Sequence, residues 1–151
     1  MANGFSDSGK AAFGHPGIPP KWSYSSKDGM GTAYSTSSRV WFTLASGVVT
    51  EIYYPTIDRP QIRDAQFLVT DGETFFHEER RDLPSEVRPI EAEALGYRVT
   101  SSDPEGRYRL VKEVICDAHQ ACVLVHTRLE AVPEWRNKLR IYVLLAPHLD
   151  V

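Results

Sequence analysis

The sequence predicts an all-β protein, an antiparallel β-sandwich, and three observations carry that expectation. From residue 39 onward, short runs of aromatic and β-branched residues recur, several with apolar side chains at every second position. Turn chemistry separates the runs, with Asp71-Gly72 and Asp103-Pro104-Glu105-Gly106 the clearest cases. No window holds the 3.6-residue apolar spacing of an amphipathic helix. Strands at this spacing, joined by hairpin turns, make a sandwich.

Residues 1–38 stand apart in composition. Gly4, Gly9, Gly14, Gly17, Gly29 and Gly31, with Pro16, Pro19, Pro20 and many serines, leave no apolar period. The segment reads as an extended arm carrying one buried anchor, Trp22. Residues 39–151 read as the sandwich. Its first strand is Arg39 to Leu44, with Val40, Phe42 and Leu44 on one face. Ala45-Ser46-Gly47 turns the chain, and Val48 to Tyr54 runs back as the hairpin partner. Pro55 ends that strand because it cannot donate to the ladder.

Gln66 to Thr70 meets Asp71-Gly72, a two-residue hairpin signal, and Glu73 to His77 returns. The charged stretch Glu78 to Glu93 is expected to be a long irregular excursion. Tyr97 to Ser101 then leads into a type I turn at Asp103 to Gly106. Tyr108 to Ile115 follows, then a turn at Asp117 to Gln120, then Cys122 to Leu129. Lys138 to Leu145 closes the series with Leu139, Ile141, Val143 and Leu145 aligned. That makes about eight strands. The chain stops at Val151, directly after its most apolar strand, so the expectation is a sandwich cut short, with open edges.

Composition narrows the function classes. The chain has 151 residues, 42% apolar and 25% charged, which is globular and excludes a disordered tail. A net charge of -3 argues against non-specific nucleic-acid binding, which needs surplus cations. No stretch approaches the roughly 18 apolar residues of a membrane span. Met1 to Lys10 lacks the apolar run of a secretory signal, so a cytoplasmic protein is expected.

Individual motifs yield little chemistry. Cys116 and Cys122 are expected to be ordinary reduced thiols. The five histidines have no ligand spacing, and His77-Glu78-Glu79-Arg80-Arg81 lacks the second histidine of a zinc-protease helix. Neither a metal nor a cofactor is expected. Ser8-Gly9-Lys10 lacks the rest of a phosphate loop. Carboxylates are plentiful, but they fall where turns and solvated faces would put them, and none pairs convincingly as a hydrolytic dyad.

The densest mixture of aromatic and charged residues runs from Glu51 to Asp64. Pro55 and Pro60 stiffen it, and Tyr53 and Tyr54 each offer a stacking face with a polar tip. Three readings stand open. The tyrosines could cover the sandwich end while Arg59 and Arg63 pair with Asp58 and Asp64; the loop could dock another domain; or it could touch sugar. The candidate site residues are therefore Tyr53, Tyr54, Asp58, Arg59, Arg63 and Asp64.

Several blocks appear in a fixed order: Gly14 to Trp22, Lys27 to Ala33, Ser38 to Leu44, Glu51 to Pro55, Arg63-Asp64, Phe67 to Gly72, Phe76 to Glu79, and Leu145 to Leu149. In these blocks the chain resembles the N-terminal domain of bacterial glucoamylases and glucodextranases. The resemblance implies a large antiparallel β super-sandwich standing before a catalytic barrel of paired helices. It also implies a parent enzyme that hydrolyses α-glucosidic bonds with inversion, using two glutamates that lie in the barrel. No catalytic residue carries over onto this chain, which is expected to be inactive alone. The implied partners are the barrel of the same polypeptide and, through the parent enzyme, an α-glucan. The rival reading is a free-standing carbohydrate-binding sandwich using Trp22, Tyr53 and Tyr54. A third is a truncated, self-associating product.

Overall fold

Phe42 and Leu44 are fully buried and Val40 nearly so, which fixes the inward face of the first predicted strand as expected. The computed structural model describes residues 25–148, so the expected Trp22 anchor lies outside the described residues. Within them the protein is all-β, with two antiparallel sheets. The strands are β1 (Gly29–Thr32), β2 (Trp41–Ala45), β3 (Val48–Tyr53), β4 (Pro60–Thr70) and β5 (Phe76–Glu78). A single helical turn, α1 (Glu79–Asp82), leads to β6 (Ser85–Pro89), β7 (Tyr97–Ser102), β8 (Tyr108–Cys116), β9 (Val123–Ala131) and β10 (Arg140–Pro147).

The first sheet runs β1-β2-β3-β4-β10, with β5 pairing on β4; the second runs β6-β7-β8-β9. One core cluster joins Phe42, Leu44 and Val49 of the first sheet to Val99 and Val114 of the second. Val69, Leu83 and Tyr108 form another cluster toward the far end of β4.

The β2–β3 turn follows the expected chemistry. Ser46 and Gly47 both take positive φ, at 51° and 76°, which matches the twist of a two-residue hairpin. Gly47 also lies where the sheets meet, since a Cβ there would stand 2.5 Å from Ser85 Cβ.

A buried ion pair ties the two sheets. Lys112 of β8 and Glu79 of α1 are 1% and 0% exposed and bonded to each other. Lys112 Nζ also donates to the Gly47 carbonyl at 2.6 Å. Glu79 accepts from Ser101 Oγ of β7 at 3.0 Å and from the Phe67 N–H of β4 at 3.1 Å. Each charge therefore has a partner and further hydrogen bonds, which a buried pair needs to offset desolvation.

Three expectations are corrected here. Residues 78–93 are not an irregular excursion, because they contain α1 and β6. Glu79 is drawn inward by Lys112, and Val87 of β6 packs against the core. The strand number is ten among the described residues, not eight, because β1 and β6 were read as irregular chain. Gly31 shows why β1 lacks an apolar signal: a Cβ there would lie 2.2 Å from the Phe42 ring.

The β4–β5 hairpin exists, but its turn spans five residues rather than two. The Asp71 carboxylate accepts from the N–H groups of Glu73, Thr74 and Phe75 at 3.0, 2.8 and 3.2 Å, and these bonds wrap a wider loop.

Candidate functional site

The stiff segment between β3 and β4 places four of the six candidate residues together. Tyr53 ends β3 half-buried, and Tyr54, 41% exposed, begins the loop. Tyr54 donates its N–H to the Arg59 carbonyl at 3.0 Å, and Arg59 donates its own to the Thr56 carbonyl at 3.1 Å. Gln61 Nε2 reaches back to the Tyr54 carbonyl at 3.0 Å. The His148 N–H donates to the Gln61 carbonyl at 2.8 Å, which anchors the loop base. The Tyr54–Pro55 peptide bond is cis.

Asp58 and Arg59 occupy the exposed tip. A hydrogen bond from Thr56, then one from its own backbone, lowers the Asp58 carboxyl below the usual range. Burial, then the charge of Glu51, raises the Tyr53 phenol.

Arg63 and Asp64 do not join that tip. Both lie within β4, half-buried. Of the three open readings, only the first paired Asp64, with Arg63; its ion-pair partner is instead Arg80 of α1, with Nη1 at 3.1 Å. One atom of each partner, Asp64 Oδ1 and Arg80 Nη2, is buried without a hydrogen bond. Burial dominates Asp64 and raises its carboxyl, against the pull of Arg80 and then Arg63.

The deeply buried carboxylates are occupied elsewhere. Glu51 holds Lys27 at 2.6 Å and accepts from Thr43 Oγ1. Glu79 holds Lys112, and Asp103 accepts from Arg107 Nε and Nη2 at 2.6 and 2.9 Å. Structural partners thus consume the groups that a hydrolytic acid–base pair would need free.

Cys116 and Cys122 are both free thiols. Burial first, and Cys122 second, push the Cys116 thiol up to about 12, so it is no nucleophile at neutral pH. Among the described residues, no three His, Cys, Asp or Glu side chains gather as a metal ligand set. No described helix is long and apolar enough to cross a membrane.

Sequence reasoning missed Arg80 and the Glu79–Lys112 pair. A signal for Lys112 was present: it alternates with Leu110 and Val114, both fully buried, on one face of β8. A cation on that face demands a buried partner. Nothing local in Glu78-Glu79-Arg80-Arg81 separates the buried glutamate from its half-buried and exposed neighbours.

A groove opens between the sheets at one flank. It encloses about 290 Å³ and is lined by Val49, Ala65, Phe67, Val123, Val125 and Val143 among others. β9 and β10 border it, and each pairs on one side only among the described residues.

Known proteins resemble this arrangement closely. Residues 12–151 match the family described as glucodextranase, domain N. A glucoamylase of Clostridium sp. (strain G0005) is 36% identical over 139 residues, which are 92% of this chain and 20% of that protein. A crystal structure of a bacterial glucoamylase complexed with acarbose superposes with a TM-score of 0.86 at 35% identity, covering 92% of this chain and 21% of that one. The chain thus spans about a fifth of the length of these relatives.

Proposed function

Because this chain belongs to the glucodextranase domain N family, we propose that it serves as part of the N-terminal accessory domain of a glucoamylase-type enzyme. In that reading the parent protein hydrolyses α-glucosidic bonds of glucans in a catalytic barrel. The present chain contributes a rigid β scaffold that packs on the barrel and supplies no catalytic group. The carrying observation is the close superposition on a glucoamylase over nearly all of this chain but only a fifth of the relative. The engagement of Glu51, Glu79 and Asp103 by cations supports the non-catalytic role.

The docking surface in this reading is the β3–β4 loop, with Tyr54 exposed at its start and Asp58 and Arg59 at its tip. The flank groove bordered by β9 and β10 receives other parts of the same polypeptide.

The test is the intact mass of the native protein in its source cells, detected through an antibody to this segment. A species several times heavier than 17.0 kDa that releases glucose from starch is expected. A 17.0 kDa species would overturn the reading and favour a free-standing carbohydrate-binding module.

A further inference from the structure

The five-residue loop between β4 and β5 is held more tightly than a surface turn requires. Besides the three backbone N–H groups bound by Asp71, Thr70 Oγ1 donates to the Phe75 carbonyl at 2.5 Å and accepts from the Gly72 N–H at 2.9 Å. Phe75 is also fixed from behind, with the Arg107 guanidinium 4.1 Å from its ring centroid and Trp135 at 5.8 Å. This rigid loop leads directly into Phe76, which is 60% exposed.

The register puts a second aromatic on the same face. Phe76 pairs across Thr70, while Tyr142 of β10 pairs across Leu68 on the opposite side of β4. Thr70 and Leu68 are two residues apart and share a face, so both rings stand on it. They lie two strands apart and two residues apart along the strands, roughly 12 Å in the sheet plane. Tyr142 is 49% exposed. Between them lies an open depression of about 760 Å³, lined by Leu68, Gly72, Glu73, Thr74, Phe76 and Tyr142 among others. Arg140 leans over Gly72, its Nη1 3.4 Å from where a Cβ would stand. Among the described residues, neither the Glu73 carboxylate nor the Arg140 guanidinium has an ion-pair partner.

We propose that this depression binds a short α-glucan chain, with Phe76 and Tyr142 as stacking surfaces and Glu73 and Arg140 as hydroxyl partners. Sugar rings present flat C–H faces that pack on aromatics, and their neighbouring hydroxyls suit a carboxylate and a forked guanidinium. Two platforms set this far apart match an oligosaccharide rather than one ring. The fixed loop keeps the ordering cost of binding small. The choice of an α-glucan rests on the glucoamylase reading above.

Titration calorimetry of the full 151-residue chain with maltoheptaose tests the site. Binding at millimolar sugar is expected, weakened at least about fivefold by Phe76→Ala or Tyr142→Ala and preserved in Tyr142→Phe. Circular dichroism confirms folding, and Glu73→Ala with Arg140→Ala gives a second, surface-only disruption. No heat with maltoheptaose, binding indifferent to these variants, or equal binding of cellohexaose would overturn the proposal. A parent protein that releases glucose while this chain ignores maltoheptaose removes this site alone. A parent that releases none removes the underlying reading.

Discussion

Asp103 and Arg107 show how much one turn can hold. Arg107 grips the Asp103 carboxylate through its side chain and, at 3.0 Å, through its own backbone N–H. The His77 Nδ1 stands 3.8 Å from the same carboxylate and 2.8 Å from the Tyr108 hydroxyl. The Arg107 hydrogen bonds hold the Asp103 carboxyl at about 2, below its ordinary 3.8. A carboxyl lowered by folding stabilises the native state above its unfolded value and loses that contribution as pH falls. Stability is therefore expected to drop by roughly 2 kcal/mol between pH 4 and pH 2 from this residue alone. Urea unfolding across that range checks it, with Asp103→Asn expected to flatten the slope.

At the scale of elements, the link from α1 to β8 matters most. Removing Lys112 alone strands the buried Glu79 carboxylate. Lys112→Met is expected to cost about 3 to 5 kcal/mol in urea unfolding. Adding Glu79→Gln should recover much of that, since the amide oxygen can still accept from Ser101 or the Phe67 N–H. The elements that the sequence made legible were those with alternation or turn chemistry. The β2–β3 hairpin, the Asp103–Gly106 turn and the β8–β9 hairpin all follow from local residues. β6 was not legible, because Ser-Glu-Val-Arg-Pro carries one apolar residue and gains its order from pairing with β7. The candidate site was legible only in part. Tyr53, Tyr54, Asp58 and Arg59 do cluster, as their proximity in the chain dictates. The partner of Asp64 comes from α1, sixteen positions on, a separation that periodicity does not reach.

For the whole molecule, the flank is the defining feature. Ile141, Val143 and Leu145 of β10 are 40%, 66% and 50% exposed, beside a strand edge that is unpaired among the described residues. Such an edge recruits another strand unless something covers it. The isolated chain is expected to self-associate with rising concentration in sedimentation velocity, and Val143→Lys to suppress this without lowering stability. The β3–β4 loop makes a separate prediction in the parent enzyme. Tyr54→Ala or Arg59→Ala should weaken domain docking, read as an earlier separate melting transition or a loss of turnover; unchanged stability and turnover in both variants would sink the docking role.

The Phe67 amide has one further consequence. Its hydrogen is held by a carboxylate that is itself bonded from β7 and β8, so opening of this bond is coupled to loosening of the contact between the sheets. Isotope exchange at that one position becomes a clock for the separation of the two layers, slowing or quickening with every substitution that changes how firmly they hold.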